Sequence, residues 1–136
     1  MRPEAMSDKV RIRFLAIVLA KPAFDVLIPN FERAYPDINV DVTYEAGNAD
    51  IEQLETIQLA AGTAPDVLWV DPSGSCGRLG TVCTLASAGN LVPMGGKPWL
   101  KSSAPEIIAA AKHGGVLVAY TPIVSPLAIF TNDDLF

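Results

Sequence analysis

Polar groups gather at three points of this 136-residue chain, each just after an apolar run. They are Lys21 and Pro22; then Glu45, Gly47 and Asn48; then Asp71, Pro72 and Ser73. Carboxylates beside amides and hydroxyls accept and donate hydrogen bonds in a small space, which is the chemistry of capturing a hydroxyl-rich small molecule. Other chemistries lack their residues. Ser73 and Ser75 flank Gly74 without forming a G-x-S-x-G elbow, so a hydrolase triad is not expected. No G-x-G-x-x-G follows the first apolar run and there is no P-loop, so nucleotide binding has no support. His113, the single histidine, falls at an expected helix end in a solvated or dipole-facing role. Two cysteines and that histidine, none at ligand spacing, do not make a zinc site; neither a metal nor a cofactor is expected. Asp133-Asp134 reads as a solvated pair. The alternative is a small α/β enzyme using Asp71 or Asp133, which requires a titratable pair within hydrogen-bond reach in a cleft.

The elements that position these groups follow from hydrophobic periodicity. Residues 1–9 read as a solvated, flexible lead. Phe14 to Ala20 is apolar after Arg11 and Arg13, but it is short for a signal peptide and Lys21-Pro22-Ala23 is a poor cleavage site. A buried strand from Val10 to Leu19 is the expectation, with no export signal in this chain. Phe24, Leu27, Ile28, Phe31, Ala34 and Tyr35 recur at helical spacing, with Pro29 expected to kink the helix or restart it. Ile38, Val40, Val42 and Tyr44 alternate with polar residues, as a strand with one apolar face does. Asp50 is expected to cap the next helix, with Gln53 at the capping-box position. Ile51, Leu54, Ile57 and Ala61 would face inward; Glu52, Glu55 and Gln58 would face outward. Gly62 and Pro65 stop that helix, and Val67 to Val70 reads as a buried strand. Three strands joined by helical crossovers make a parallel βαβαβ unit, a three-layer α/β fold with flanking helices. Ligands of such sheets bind beyond the carboxyl ends of the strands, where the three polar points converge. Asp71 has the plainer role of capping its own turn as the competing reading.

Further on, Ser102 or Ser103 is expected to start a helix with Pro105 in its first turn, ended by Gly114-Gly115. Val116 to Tyr120 and Leu127 to Phe130 read as strands. Trp69 reads as core; Trp99 reads equally as an exposed cap or a ring near the cleft. Half the residues are hydrophobic and mean hydropathy is +0.31, which excludes a wholly disordered chain. Ten basic against fifteen acidic residues give a net charge of −5, with no basic cluster for nucleic acid or an anionic membrane.

Four segments carry a resemblance. They are Phe31-Glu32-Arg33-Ala34-Tyr35-Pro36-Asp37-Ile38-Asn39-Val40, Gln58-Leu59-Ala60-Ala61-Gly62-Thr63-Ala64-Pro65-Asp66-Val67, Leu85-Ala86-Ser87-Ala88-Gly89-Asn90-Leu91-Val92-Pro93, and Phe130-Thr131-Asn132-Asp133-Asp134-Leu135-Phe136. In order and at suitable spacings, they resemble the amino-terminal part of an extracellular solute-binding protein of an ABC transporter, in the maltose-binding-like, carbohydrate-directed group. The resemblance implies an incomplete periplasmic-binding-protein-like lobe over residues 10–136, the first of two lobes that close over a solute. It implies a non-enzymatic role, a sugar or oligosaccharide as ligand, membrane permease subunits as partners of the full-length parent, and an extracellular or periplasmic location, membrane-anchored or not. Tyr120 and Thr121 would approach the same cleft. A chain ending at the first crossover would bind weakly or not at all, and a further alternative is a truncated product with no binding role that self-associates through an unpaired edge or an uncovered apolar face.

The resemblance places Cys76 and Cys83 in the loop and helix after the third strand. On one straight helix their Cα atoms would be about 10 Å apart, too far for a disulfide. In a loop, which Gly74, Gly77 and Gly80 favour, a disulfide can form and export would favour it. A disulfide and two free thiols stand as equal alternatives.

Overall fold

Three parallel strands form the frame of the computed structural model, which describes residues 9–71 and 76–121. β1 (Val10–Ile17) lies in the middle, between β2 (Ile38–Glu45) and β3 (Val67–Leu68). β1 and β2 pair along their whole length, from Val10 opposite Ile38 to Ile17 opposite Glu45. β3 is short, with Phe14 opposite Val67 and Leu15 opposite Leu68; Trp69 extends the contact by donating its N–H to the Leu15 carbonyl at 2.9 Å. Because all three strands run the same way, their carboxyl ends share one edge, as right-handed crossovers dictate.

The crossovers are α1 (Lys21–Ala34) and α2 (Asn48–Ala60). A 3₁₀ turn, Val18–Ala20, takes the last residues expected in β1 and leads directly into α1. Pro29 lies inside α1, and one continuous helix passes through it. Phe24, Ile28 and Phe31, spaced four and three apart, turn towards the sheet, while Leu27 and Tyr35 are exposed. Phe24 holds the seam: its ring meets Phe14 edge-on at 5.0 Å and Trp69 at 6.5 Å.

α2 departs most from its expected form. It starts at Asn48 with Gly47 as its cap, so Asp50 sits in the first turn, where its charge still suits the positive end. Its inward face is rotated from the expected one. Ile51 is buried as expected, but Glu55 is 0% exposed and Ile57 is 57% exposed. The carboxyl end matches its signal closely. Gly62 has φ +68°, Thr63 N–H reaches the Gln58 carbonyl at 2.8 Å, and Gly62 N–H reaches that of Leu59 at 3.2 Å. That pair of bonds is a Schellman motif, and it requires the left-handed residue that glycine supplies. Arg13 then anchors the returning chain, donating to the carbonyls of Thr63 at 3.1 Å and Ala64 at 2.6 Å, while its N–H donates to the Asp66 carboxylate at 2.8 Å.

Beyond the sheet come α3 (Val82–Ser87), a 3₁₀ turn (Pro98–Ser102), α4 (Pro105–Ala110) and a small antiparallel hairpin, β4 (Lys112–His113) with β5 (Val116–Leu117). Ala104, not Ser102 or Ser103, occupies the cap position of α4. Gly114 and Gly115 turn the hairpin instead of ending a helix: both have positive φ, as a tight primed turn requires. His113 is therefore a strand residue, with its Nε2 3.3 Å from Ser87 Oγ on α3. Among the described residues the fully buried apolar core is small, made of Leu15, Ala16, Ile51, Val82, Leu85, Ala111 and Leu117. The expected strand Leu127 to Phe130, and Asp133 and Asp134, lie outside the described residues.

Candidate functional site at the carboxyl edge of the sheet

Lys21 opens α1 after the 3₁₀ turn that follows β1, with Pro22 in the first helical turn, where a backbone N–H is not required. The Lys21 ammonium donates to both carboxylate oxygens of Asp25, each at 2.7 Å, and lies 5.4 Å from the centre of the Tyr44 ring near the end of β2. The hydrogen bond to Asp25 is the main cause of a pKa above the ordinary lysine value, so this group is cationic. α1 and β2 thus meet at the edge through one fixed cation.

Glu45 is the last residue of β2, Gly47 is the extended cap of α2, and Asn48 is the first helical residue. The Gly47 carbonyl accepts from Ile51 N–H at 3.2 Å. These residues therefore sit at the helix's positive end.

Asp71 follows β3 and forms an isolated parallel bridge with Thr81. Its N–H reaches the Gly80 carbonyl, and its own carbonyl accepts from Val82 N–H, each at 3.2 Å. Its carboxylate lies 3.6 Å from Nη1 of Arg78, whose Nη2 donates to Glu52 of α2 at 2.8 Å. Pro72 and Ser73 lie outside the described residues. Cys76 and Cys83 are joined by a disulfide with Cα atoms 5.1 Å apart, closing the loop that carries Arg78.

The edge therefore brings together Lys21, Pro22, Glu45, Gly47, Asn48 and Asp71. Tyr120 occupies a second cluster: its ring packs edge-to-face on Trp99 at 5.0 Å, and its hydroxyl accepts from Ser103 Oγ at 3.4 Å. Thr121 follows it and is half-buried. Sequence reasoning did not pair Arg78 with Glu52 and Asp71. Arg78 carried one available signal, as the only charged side chain between the two cysteines.

Behind the edge lies an unusual polar seam. Glu55 and Gln58 turn carbonyl-type oxygens into the interior of α2's packing surface without a hydrogen-bond partner among the described residues. Burial, then the Glu52 charge, pushes the Glu55 carboxyl up to about 8, so it is protonated at neutral pH. Glu55 also lines a cavity of about 190 Å³ between α2 and the Leu79–Asn90 segment, and a second cavity of about 100 Å³ lies beside Arg13 and Asp41. None of Lys21, Pro22, Glu45, Gly47, Asn48, Asp71, Tyr120 or Thr121 lines either of these two cavities. Among the described residues no group of three His, Cys, Asp or Glu side chains is placed to hold a metal, and no helix is long and apolar enough to cross a membrane.

Three parallel strands joined by helical crossovers, with polar residues just beyond their carboxyl ends, place the chain in the α/β class whose ligands bind at that edge. The profile of the bacterial extracellular solute-binding protein family matches residues 18–136, and the chain belongs to that family. A sequence search of the curated proteins finds no match. Solved structures share the fold. A family 1 extracellular solute-binding protein from Alicyclobacillus acidocaldarius superposes with a TM-score of 0.68 at 18% identity, over 80% of this chain and 27% of that one. The ABC substrate-binding protein Lmo0181 from Listeria monocytogenes, solved with cycloalternan, gives 0.64 at 24% identity, over 80% and 28%. The galacto-N-biose/lacto-N-biose I-binding protein of the ABC transporter from Bifidobacterium longum, solved with lacto-N-biose, gives 0.62 at 20% identity, over 81% and 27%. The chain thus spans little more than a quarter of the length of these structures. They and the family are binding proteins.

Proposed function

We propose that this chain supplies one wall of a site that captures a saccharide for an ABC importer. The observation that carries the reading is the convergence of Lys21, Glu45 to Asn48 and Asp71 on the carboxyl edge of one parallel sheet, in a chain of the solute-binding family. Carboxylate and amide groups set there are suited to a sugar's adjacent hydroxyls. The saccharide-bound structures of similar fold support that ligand class. In this reading residues 10–136 are part of a first lobe, a second lobe closes over the ligand, and the loaded protein docks on membrane permeases outside the cytoplasm. Tyr120 and Thr121 would reach the solute from the far side of the same cleft.

Isothermal titration of the chain with cycloalternan and with lacto-N-biose tests this. A one-sided shelf is expected to bind in the millimolar range, a binding free energy of about −4 kcal/mol. Asn48→Ala is expected to weaken it severalfold without loss of thermal stability. Absence of heat from either sugar, with the chain folded, would contradict capture by this edge.

A further inference from the structure

We infer that Arg78 is a ligand-contact residue of this edge, held in place by Glu52 and Asp71, and that the Cys76–Cys83 loop exists to deliver it. The inference deepens the capture reading and rests on it. Both carboxylates that grip the guanidinium are largely shielded, with Asp71 13% and Glu52 16% exposed, whereas the Arg78 side chain is 51% exposed. Two occluded anions around one half-exposed cation point the remaining N–H donors outward. A guanidinium presents five N–H donors in a rigid fork; one bond to Glu52 and one approach to Asp71 leave a free side for acceptor oxygens. Its two anchors come from α2, early in the second crossover, and from the residue beyond β3. The fork therefore stands over the carboxyl edge itself.

The backbone beneath it is fixed just as firmly. The Arg78 carbonyl accepts from Thr84 Oγ1 at 2.7 Å and from Thr81 Oγ1 at 3.2 Å. Gly77 N–H donates to Thr84 Oγ1 at 3.0 Å, and the disulfide ties both ends of the loop. An exposed arginine used only for solubility needs no such support. The chemistry favoured is a neutral saccharide whose hydroxyl and ring oxygens accept from the fork, with Glu52 acting through Arg78 as a positioning residue.

The test is an NMR titration of the whole chain with cycloalternan and lacto-N-biose, following the guanidinium N–H signal of Arg78 beside the amides of Lys21 and Asn48. Saccharide is expected to shift all three. Arg78→Lys is expected to keep the contact to Glu52 and the fold, yet lower affinity about tenfold because an ammonium lacks the fork. Arg78→Met should lose more, and Glu52→Gln should weaken binding less than either. Shifts at Lys21 and Asn48 with an unmoved Arg78 signal, and wild-type affinity in Arg78→Lys, would overturn this inference and leave capture standing. No shift at any of the three would overturn capture and this inference with it.

Discussion

Gly80 shows how one position can decide whether two elements dock. It has φ +67°, and a Cβ there would come within 2.4 Å of Glu52 Cγ and 3.2 Å of a Glu55 carboxylate oxygen. Gly96 has a similar φ of +77° with nothing within 4 Å. Gly96→Ala should therefore cost about 1 kcal/mol from backbone conformation alone, and Gly80→Ala more than about 2 kcal/mol, by urea denaturation. Equal losses would show that the loop does not lie against α2. Glu55 makes the same seam sensitive to pH. Below its ordinary value of 4.5 the carboxyl is neutral in both folded and unfolded chains, and burial carries no ionisation cost. Between 4.5 and about 8 only the unfolded chain ionises, so stability falls as pH rises, by up to about 1.4 kcal/mol per pH unit for this group. Above about 8 the loss is complete. Glu55→Gln should flatten that decline across pH 5–8 in thermal or urea melts. An unchanged slope would place the charged form in the fold.

Among the elements, the closed loop contributes most for its size. Replacing both cysteines with serine frees a loop whose ends are seven residues apart, an entropic loss of about 2.5 kcal/mol in the loop-closure picture. The melting temperature should drop accordingly, and exchange at the Asp71 and Val82 amides should speed up before that of β1. A melt unaffected by the double replacement would contradict this. Elements built on local rules were readable in advance: β2 from the alternation of Ile38, Val40, Val42 and Tyr44, and the end of α2 from Gly62. The placement of Lys21, Glu45 and Asp71 by the three strand ends followed from the same logic, because parallel strands put their carboxyl ends together. What was not readable depends on distant partners. Nothing in the helical spacing of α2 reveals that Glu55 is inside, because its rotation is set by the Gly80 loop docking on it. Nothing local pairs Arg78 with Glu52, 26 residues away. Gly114-Gly115 carried two valid meanings, helix stop and hairpin turn, and strand pairing across Lys112 and Leu117 selected the second.

Among the described residues, a small buried core coexists with many exposed apolar side chains, including Leu19, Val26, Leu27 and Val92. We propose that this surface associates, so sedimentation of the chain is expected to show concentration-dependent oligomers whose formation weakens at low temperature. A monomer at all concentrations would contradict that expectation. We propose that solute is held at the carboxyl edge of the β2–β1–β3 sheet. The most direct test is to map intermolecular NOEs between cycloalternan or lacto-N-biose and the chain. Contacts are predicted from the sugar protons to Lys21, Asn48 and Asp71, with the opposite edge at Val10 and Ile38 silent. Contacts confined to the hairpin and α4, or to the Val10 edge, would contradict the claim.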